Sequence, residues 1–183
     1  MSTKSEQVLA AAAELLARKP GASMDEVARA AGISRATLHR YFAGRDALVT
    51  ALGALGVRRL DECVDAAAID EGSASDAVRR LVGQVMPVAG FLAFLYTEHQ
   101  LFEQDRMDDG WRRVDNRISA LFRRGQQEGE FRPELPPAWL TEALYALVAA
   151  SDWSVQDGQM APKDAPTLVI ELLLGGALAR KPA

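Results

Sequence analysis

The sequence predicts an all-α protein of about nine helices, and three observations carry that expectation. No stretch of the 183 residues alternates apolar and polar side chains in the way a half-buried strand does. Segment after segment instead repeats its apolar residues at three- and four-residue spacing, which puts them on one face of a helix. Between those segments stand the residues that start and stop helices, serine before them and glycine or proline after.

The first helix is expected over residues 4–18, with Val8, Ala12, Leu15 and Leu16 as its buried stripe. Lys19, Pro20 and Gly21 end it, because proline and the residue before it disfavour continued helix. Residues 25–42, DEVARAAGISRATLHRYF, then read as two short helices joined by a tight turn. Ser23 caps the first of them, and Glu26 three residues on completes a capping box. Gly32 stops that helix, since glycine takes the left-handed conformation without steric cost. Ile33 is the one bulky apolar residue of the turn and plugs the angle between the helices. Ser34 caps the second helix. Within it Leu38 and Phe42 face inward at i, i+4 spacing. Arg35, Ala36, Thr37, His39, Arg40 and Tyr41 are left facing out.

A fourth helix runs from Arg45 to about residue 67, with Leu48, Ala51, Leu52 and Leu55 packed on the first three. Gly53 and Gly56 lie inside it, each costing about 1 kcal/mol against alanine, and are read as positions of close packing. The polar, glycine- and serine-rich residues 69–75 are the best boundary in the chain. A fifth helix follows over 76–86, and Pro87 is expected to bend it. The next helix, through Phe91, Leu92, Phe94, Leu95, Tyr96, His99, Leu101 and Phe102, is apolar over most of its circumference and hence buried on several sides. Asp108 and Asp109 open another, with Trp111, Val114, Ile118, Leu121 and Phe122 in register and Gly129 closing it. Pro136 and Pro137 start the eighth, prolines being tolerated where first-turn N–H groups have no intrahelical partner. Leu140, Leu144, Leu147 and Ser151 form one of its faces; Trp139, Ala143, Ala146, Ala150 and Trp153 form the other. The last helix, over 166–180, is interrupted in its apolar surface only by Glu171. One subunit cannot cover it on all sides, and a second can, with Gly175 and Gly176 permitting close approach.

Net charge is −4, which taken alone argues against a nucleic-acid partner. Its distribution reverses that: residues 1–60 hold nine Lys/Arg and five Asp/Glu, a net +4, and residues 61–183 hold twelve and twenty, a net −8. The basic segment is the one carrying the paired short helices. Cys63 is the single cysteine, so no internal disulfide framework exists, and the chain fits a reducing cytoplasm. The polar opening MSTKSEQ does not resemble a signal peptide. No apolar run is read as long enough to span a bilayer; the longest candidate, residues 168–179, is too short.

Residues 6–55 resemble the DNA-binding domain of the tetracycline-repressor (TetR) family. The patterns VLAAAAELL, MDEVARAAGIS and ATLHRYFAGRDALVTAL carry the resemblance, the last most specifically. His39 stands where the family usually has tyrosine and Arg45 where it usually has lysine, both keeping a hydrogen-bond donor. RRGQQEGEFRPEL is similar to the end of the family's seventh helix. The resemblance implies a ligand-responsive transcriptional regulator, usually a repressor, in which a small molecule shifts the DNA-binding heads apart.

The expected organisation is a helix–turn–helix head over residues 1–50, helix four continuing to about 67 as connector, and a ligand-binding and dimerising bundle over 68–183. Arg35, Ala36 and Arg40 are candidates for base edges, since arginine pairs bidentately with guanine and an alanine methyl touches that of thymine. Ser34, Thr37, His39, Tyr41 and Arg45 are candidates for phosphate. Phe91, Phe94, Leu95, Tyr96, His99, Trp111, Phe122 and Tyr145 are candidates for an effector cavity, apolar with a few polar groups. Tyr96, Glu98, His99 and Asp152 could supply those groups; the expected ligand is a small, largely apolar molecule, with Glu98 and Asp152 leaving room for a cationic one. The expected partners are a palindromic double-stranded operator, a small-molecule effector, and a second copy held through the last two helices, with no membrane. No catalytic, metal or cofactor motif stands out: there is no phosphate-binding glycine loop, no GxSxG and no HExxH. The rivals are an architectural DNA binder without effector, and a helical carrier or enzyme whose head makes only protein contacts.

Overall fold

A computed structural model describes residues 4–99 and 109–178, the side chain of His99 excepted. Among them the chain forms nine α-helices: α1 Lys4–Arg18, α2 Met24–Ala30, α3 Arg35–Tyr41, α4 Arg45–Ala66, α5 Ala74–Val85, α6 Ala89–His99, α7 Asp109–Gln127, α8 Pro137–Gln156 and α9 Ala165–Ala177. Their boundaries follow from local chemistry. Ser23 and Glu26 form the expected capping box, the Ser23 N–H donating to Glu26 Oε2 at 2.8 Å and the Glu26 N–H to Ser23 Oγ at 3.3 Å. Gly32 takes φ +65° just past α2. Ser34 Oγ accepts the Thr37 N–H at 3.1 Å and starts α3. Ser73 does the same for α5 through Asp76. Two more N–H groups of the first turn of α5, from Ala74 and Ser75, are taken by Glu130 at 2.8 and 2.9 Å, which ties the α7–α8 turn to α5.

Pro87 does interrupt the helix, but the interruption is a single 3₁₀ turn, Met86–Val88, between α5 and α6. Residues 74–98 therefore form the longest apolar helical run, and by length and composition alone it passes for a bilayer span, contrary to the expectation that none does. Half of that run is buried inside the protein, and it serves as a core element.

Two apolar clusters make up the interior. The first joins α1, α2, α3 and the first half of α4 to Phe91, Phe94 and Leu95 of α6. The second joins α4 from Val57 onward to α5, α7, α8 and α9. Trp111 packs against both. Leu95 rests on the backbone of α4 at Gly56, where an added Cβ would stand 2.2 Å from Leu95 Cδ1. That approach is why a glycine sits inside α4. Burying Phe91, Phe94 and Leu95 contributes roughly 1.5–3 kcal/mol each, so α6 is bound firmly to the head. Polar ties cross the same boundary: Gln156 at the end of α8 donates to Ala17 O at 3.1 Å. On the far side of α4, Arg117 of α7 pairs with Asp61 and Asp65, both at 2.6 Å.

The last two helices divide as α8 was expected to. Leu140, Leu144 and Ser151 are buried, and Trp139 and Trp153 of the opposite face are 59% and 43% exposed. In α9 the inward residues are Val169, Leu173, Leu174 and Ala177, while Leu168 and Leu172 are 47% and 66% exposed.

Candidate nucleic-acid interface and effector pocket

The recognition face is built from very little chain. Leu38 is fully buried under α3, Phe42 nearly so, and Ile33 packs in the turn. Those anchors fix the rotation of α3, and Arg35, Ala36, His39 and Arg40 are all exposed on one side of it. Thr37 and Tyr41 flank that side, half-buried. Ser34 and Thr37 share a hydrogen bond between their hydroxyls at 2.9 Å. Arg35 is held toward α2 by Asp25, Nε to Oδ1 at 3.2 Å. An exposed pair of this kind is worth no more than about 1 kcal/mol, so Arg35 is held only weakly. The Arg40 guanidinium lies 5.8 Å from the centroid of the Tyr41 ring, a cation–π contact that orients it along the helix. Beneath this face Lys19 donates to Glu26 at 2.6 Å, and together with the Ser23 hydrogen bonds it holds the Glu26 carboxyl down at about 2.

Arg45, a candidate for phosphate, makes three hydrogen bonds within the chain. Its guanidinium donates to Pro20 O at 2.9 Å, to Ala22 O at 3.1 Å and to Glu98 at 2.9 Å. It thus binds the α1–α2 turn to the start of α4 and both to α6. Glu98, expected to help receive a cationic ligand, is occupied by the same bond.

Six of the eight residues expected to enclose an effector are distributed over the two apolar clusters. Phe91, Phe94 and Leu95 turn toward the head and belong to its core. Phe122 is fully buried in the bundle core, its ring 5.8 Å from that of Phe131. Trp111 lies at the junction of the two. The side chain of His99 is outside the described residues. Tyr96 and Tyr145 remain, and both end on carboxylates the sequence reading did not single out: Tyr96 donates to Glu142 and Tyr145 to Asp115, each at 2.8 Å. Burial, with the Asp115 charge behind it, pushes the Tyr145 hydroxyl well above its ordinary range. The Glu142 hydrogen bond raises that of Tyr96. Only the i, i+3 spacing of Glu142 and Tyr145 within α8 was visible in advance; nothing in the sequence linked either to α6 or α7. Asp152 is half-buried, and burial raises its carboxyl. A surface crevice lies along α7, lined by Asp109, Arg112, Arg113, Asn116, Arg117 and Ala120, and takes in none of the eight.

Residues 8–52 match the family model described as "Bacterial regulatory proteins, tetR family". Over 174 residues, 94% of this chain and 93% of the relative, the chain is 30% identical to the HTH-type transcriptional regulator NfxB of Pseudomonas aeruginosa. Over 151 residues, 82% of this chain and 78% of the relative, it is 29% identical to the HTH-type transcriptional repressor LfrR of Mycolicibacterium smegmatis. Among solved structures, the TetR-like regulator LfrR from Mycobacterium smegmatis in complex with proflavine superimposes with a TM-score of 0.80 at 25% identity, covering 94% of this chain and 95% of that one. A second LfrR structure gives 0.70 at 25% identity, covering 93% and 97%.

Proposed function

Since this chain belongs to the tetR family of bacterial regulatory proteins, we propose that it represses transcription as a homodimer and leaves its operator when an aromatic cation binds between α6, α7 and α8. The protein is a DNA-binding transcriptional regulator, not an enzyme. The observation that carries the reading is the rigidly anchored, exposed side of α3. On it Arg35, Ala36 and Arg40 read base edges in the major groove, while Ser34, Thr37, His39 and Tyr41 hold phosphates. The head, residues 1–50, is carried on α4, and residues 68–183 bind the effector and the second subunit. Trp139, Trp153, Leu168 and Leu172 leave an apolar surface on α8 and α9 that a symmetric partner would cover, so the operator is an imperfect palindrome.

The effector's chemistry is inferred from Tyr96, Glu142, Tyr145 and Asp115. Two aromatic rings beside two carboxylates attract a flat cation through both charge and ring quadrupole. LfrR has been solved with proflavine, a planar aromatic cation, and this chain's helices lie nearer to that arrangement than to the second LfrR structure. Calorimetric titration of the DNA-free protein with proflavine tests this chemistry. Binding is expected, weakened about tenfold or more in Glu142→Gln, since a hydrogen bond to a charged group is worth roughly 1.5–3 kcal/mol. Release from DNA is measured with benzyltriethylammonium, because proflavine itself intercalates into duplexes. The close packing of Phe91, Phe94, Leu95 and Phe122 favours the rival of an architectural binder with no effector. Absence of binding by either cation would overturn the aromatic-cation reading of the effector.

A further inference from the structure

We propose that Glu98 competes with the DNA backbone for Arg45, so that α6 controls DNA affinity by taking a phosphate contact away from the head. The inference rests on the DNA-binding reading above. Arg45 is the first residue of α4, four residues beyond the end of the recognition helix, and 37% of its side chain is exposed. Gly44 before it supplies no side-chain cap, so the N–H groups of the first turn add partial positive charge at the same edge of the head. A cation at an uncapped helix start beside the recognition helix is a phosphate contact by its chemistry. In this arrangement a carboxylate stands in for the phosphate: Glu98, only 15% exposed, accepts from Arg45 Nη2 at 2.9 Å. A carboxylate there acts twice. It occupies a donor, and its charge repels the backbone.

The position of Glu98 explains why this competition is adjustable. Phe91, Phe94, Leu95 and Glu98 recur at i, i+3, i+4 and i+7, a single stripe of α6 that faces the head. The opposite side of α6 carries Tyr96, whose hydroxyl meets Glu142 of α8. Any ligand that shifts α6 along or about its axis moves Glu98 relative to Arg45. Releasing the arginine tightens DNA binding, and recapturing it weakens binding. Arg45 keeps its bonds to Pro20 O and Ala22 O in either case, so the head stays folded while the contact is exchanged.

The charge exchange has a readout that a merely structural tie lacks, the salt dependence of DNA affinity. Each added phosphate contact steepens the slope of log K against log salt by about 0.9, so Glu98→Gln should bind a short random-sequence duplex with a slope steeper by about 0.9 per subunit. Its advantage over wild type should grow roughly 3.5-fold per added contact for each fourfold fall in salt. Glutamine keeps the size and an acceptor, and a melting curve checks that the fold is kept. Should it melt early, Glu98→Met, which also removes the charge at similar size, gives the same measurement. Gln156→Ala is the control for loosening. It frees the same end of α1 from α8 without altering charge and should leave the slope unchanged. Arg45→Ala in the wild-type background should change the slope little, because Glu98 already withholds that contact, and Arg45→Ala combined with Glu98→Gln should lose the steepening that Glu98→Gln brings. If Glu98→Gln leaves the slope at the wild-type value, Glu98 does not compete and the inference is overturned. If the double variant is as steep as Glu98→Gln alone, Arg45 touches no phosphate, and the inference falls for that reason while the reading of α3 stands. If Gln156→Ala steepens the slope as much as Glu98→Gln, loosening rather than charge is responsible, and the inference is again overturned.

Discussion

Leu172→Glu should break the dimer and leave each subunit folded. Leu172 is 66% exposed in the single chain, and Leu173 beside it is 3% exposed, so the two leucines separate the seam from the core. Fully burying a leucine is worth roughly 1.5–3 kcal/mol, and about two-thirds of that is left for a partner to supply at Leu172. A two-fold interface counts the change twice, giving a loss of roughly 2–4 kcal/mol before the cost of burying two carboxylates. At 1.4 kcal/mol per factor of ten, the dissociation constant should rise by about 30- to 700-fold at the least. Sedimentation equilibrium over a range of concentrations measures it, with circular dichroism to check that helix content is kept. Leu173→Ala is the complement. It should lower the melting temperature, since buried leucine-to-alanine changes cost roughly 2–5 kcal/mol, while the folded fraction still dimerises. A folded Leu172→Glu protein that dimerises as tightly as wild type would refute the placement of the seam on α8 and α9.

Three further outcomes follow from named contacts. Arg40→Ala should cost roughly 1–3 kcal/mol of operator affinity and relax preference at one base position, measured by binding to a panel of single-base variants. Gly56→Ala would set a methyl against Leu95 Cδ1, and the overpacking should lower stability by roughly 1–3 kcal/mol in a denaturant melt. Asp152 gives a pH dependence. Burial raises its carboxyl above the ordinary 3.8, so the folded chain holds that proton more tightly than the unfolded one, and stability is lost as pH rises from 3.8 through the raised value. Asp152→Asn should therefore melt higher than wild type at neutral pH, with the difference vanishing below the ordinary carboxyl range.

Local chemistry was legible in the sequence, and partner choice over long separations was not. The Ser23–Glu26 box, the Gly32 stop and the Ser34 cap are each decided within four residues, and each is present. The two faces of α8 could be read because its apolar residues differ in size from one face to the other. α6 and α9 are apolar nearly all round, and such a helix does not reveal which side meets which neighbour. That is why the packing of Phe91, Phe94 and Leu95 on the head could not be read from the sequence. Arg45 and Glu98 are 53 residues apart, Tyr96 and Glu142 are 46 apart, and no periodicity connects either pair.

The central claim is that α3 reads a two-fold operator, and footprinting the purified protein on the DNA upstream of its own gene tests it most directly. Two protected half-sites are expected, related by two-fold symmetry and spaced about one helical turn, roughly 10–10.5 base pairs, or a multiple of it. Protection should fade with rising salt and be lost from the Arg35→Ala, Arg40→Ala double variant at concentrations where wild type protects fully. Uniform protection with no preferred sequence, or wild-type protection by the double variant, would contradict it.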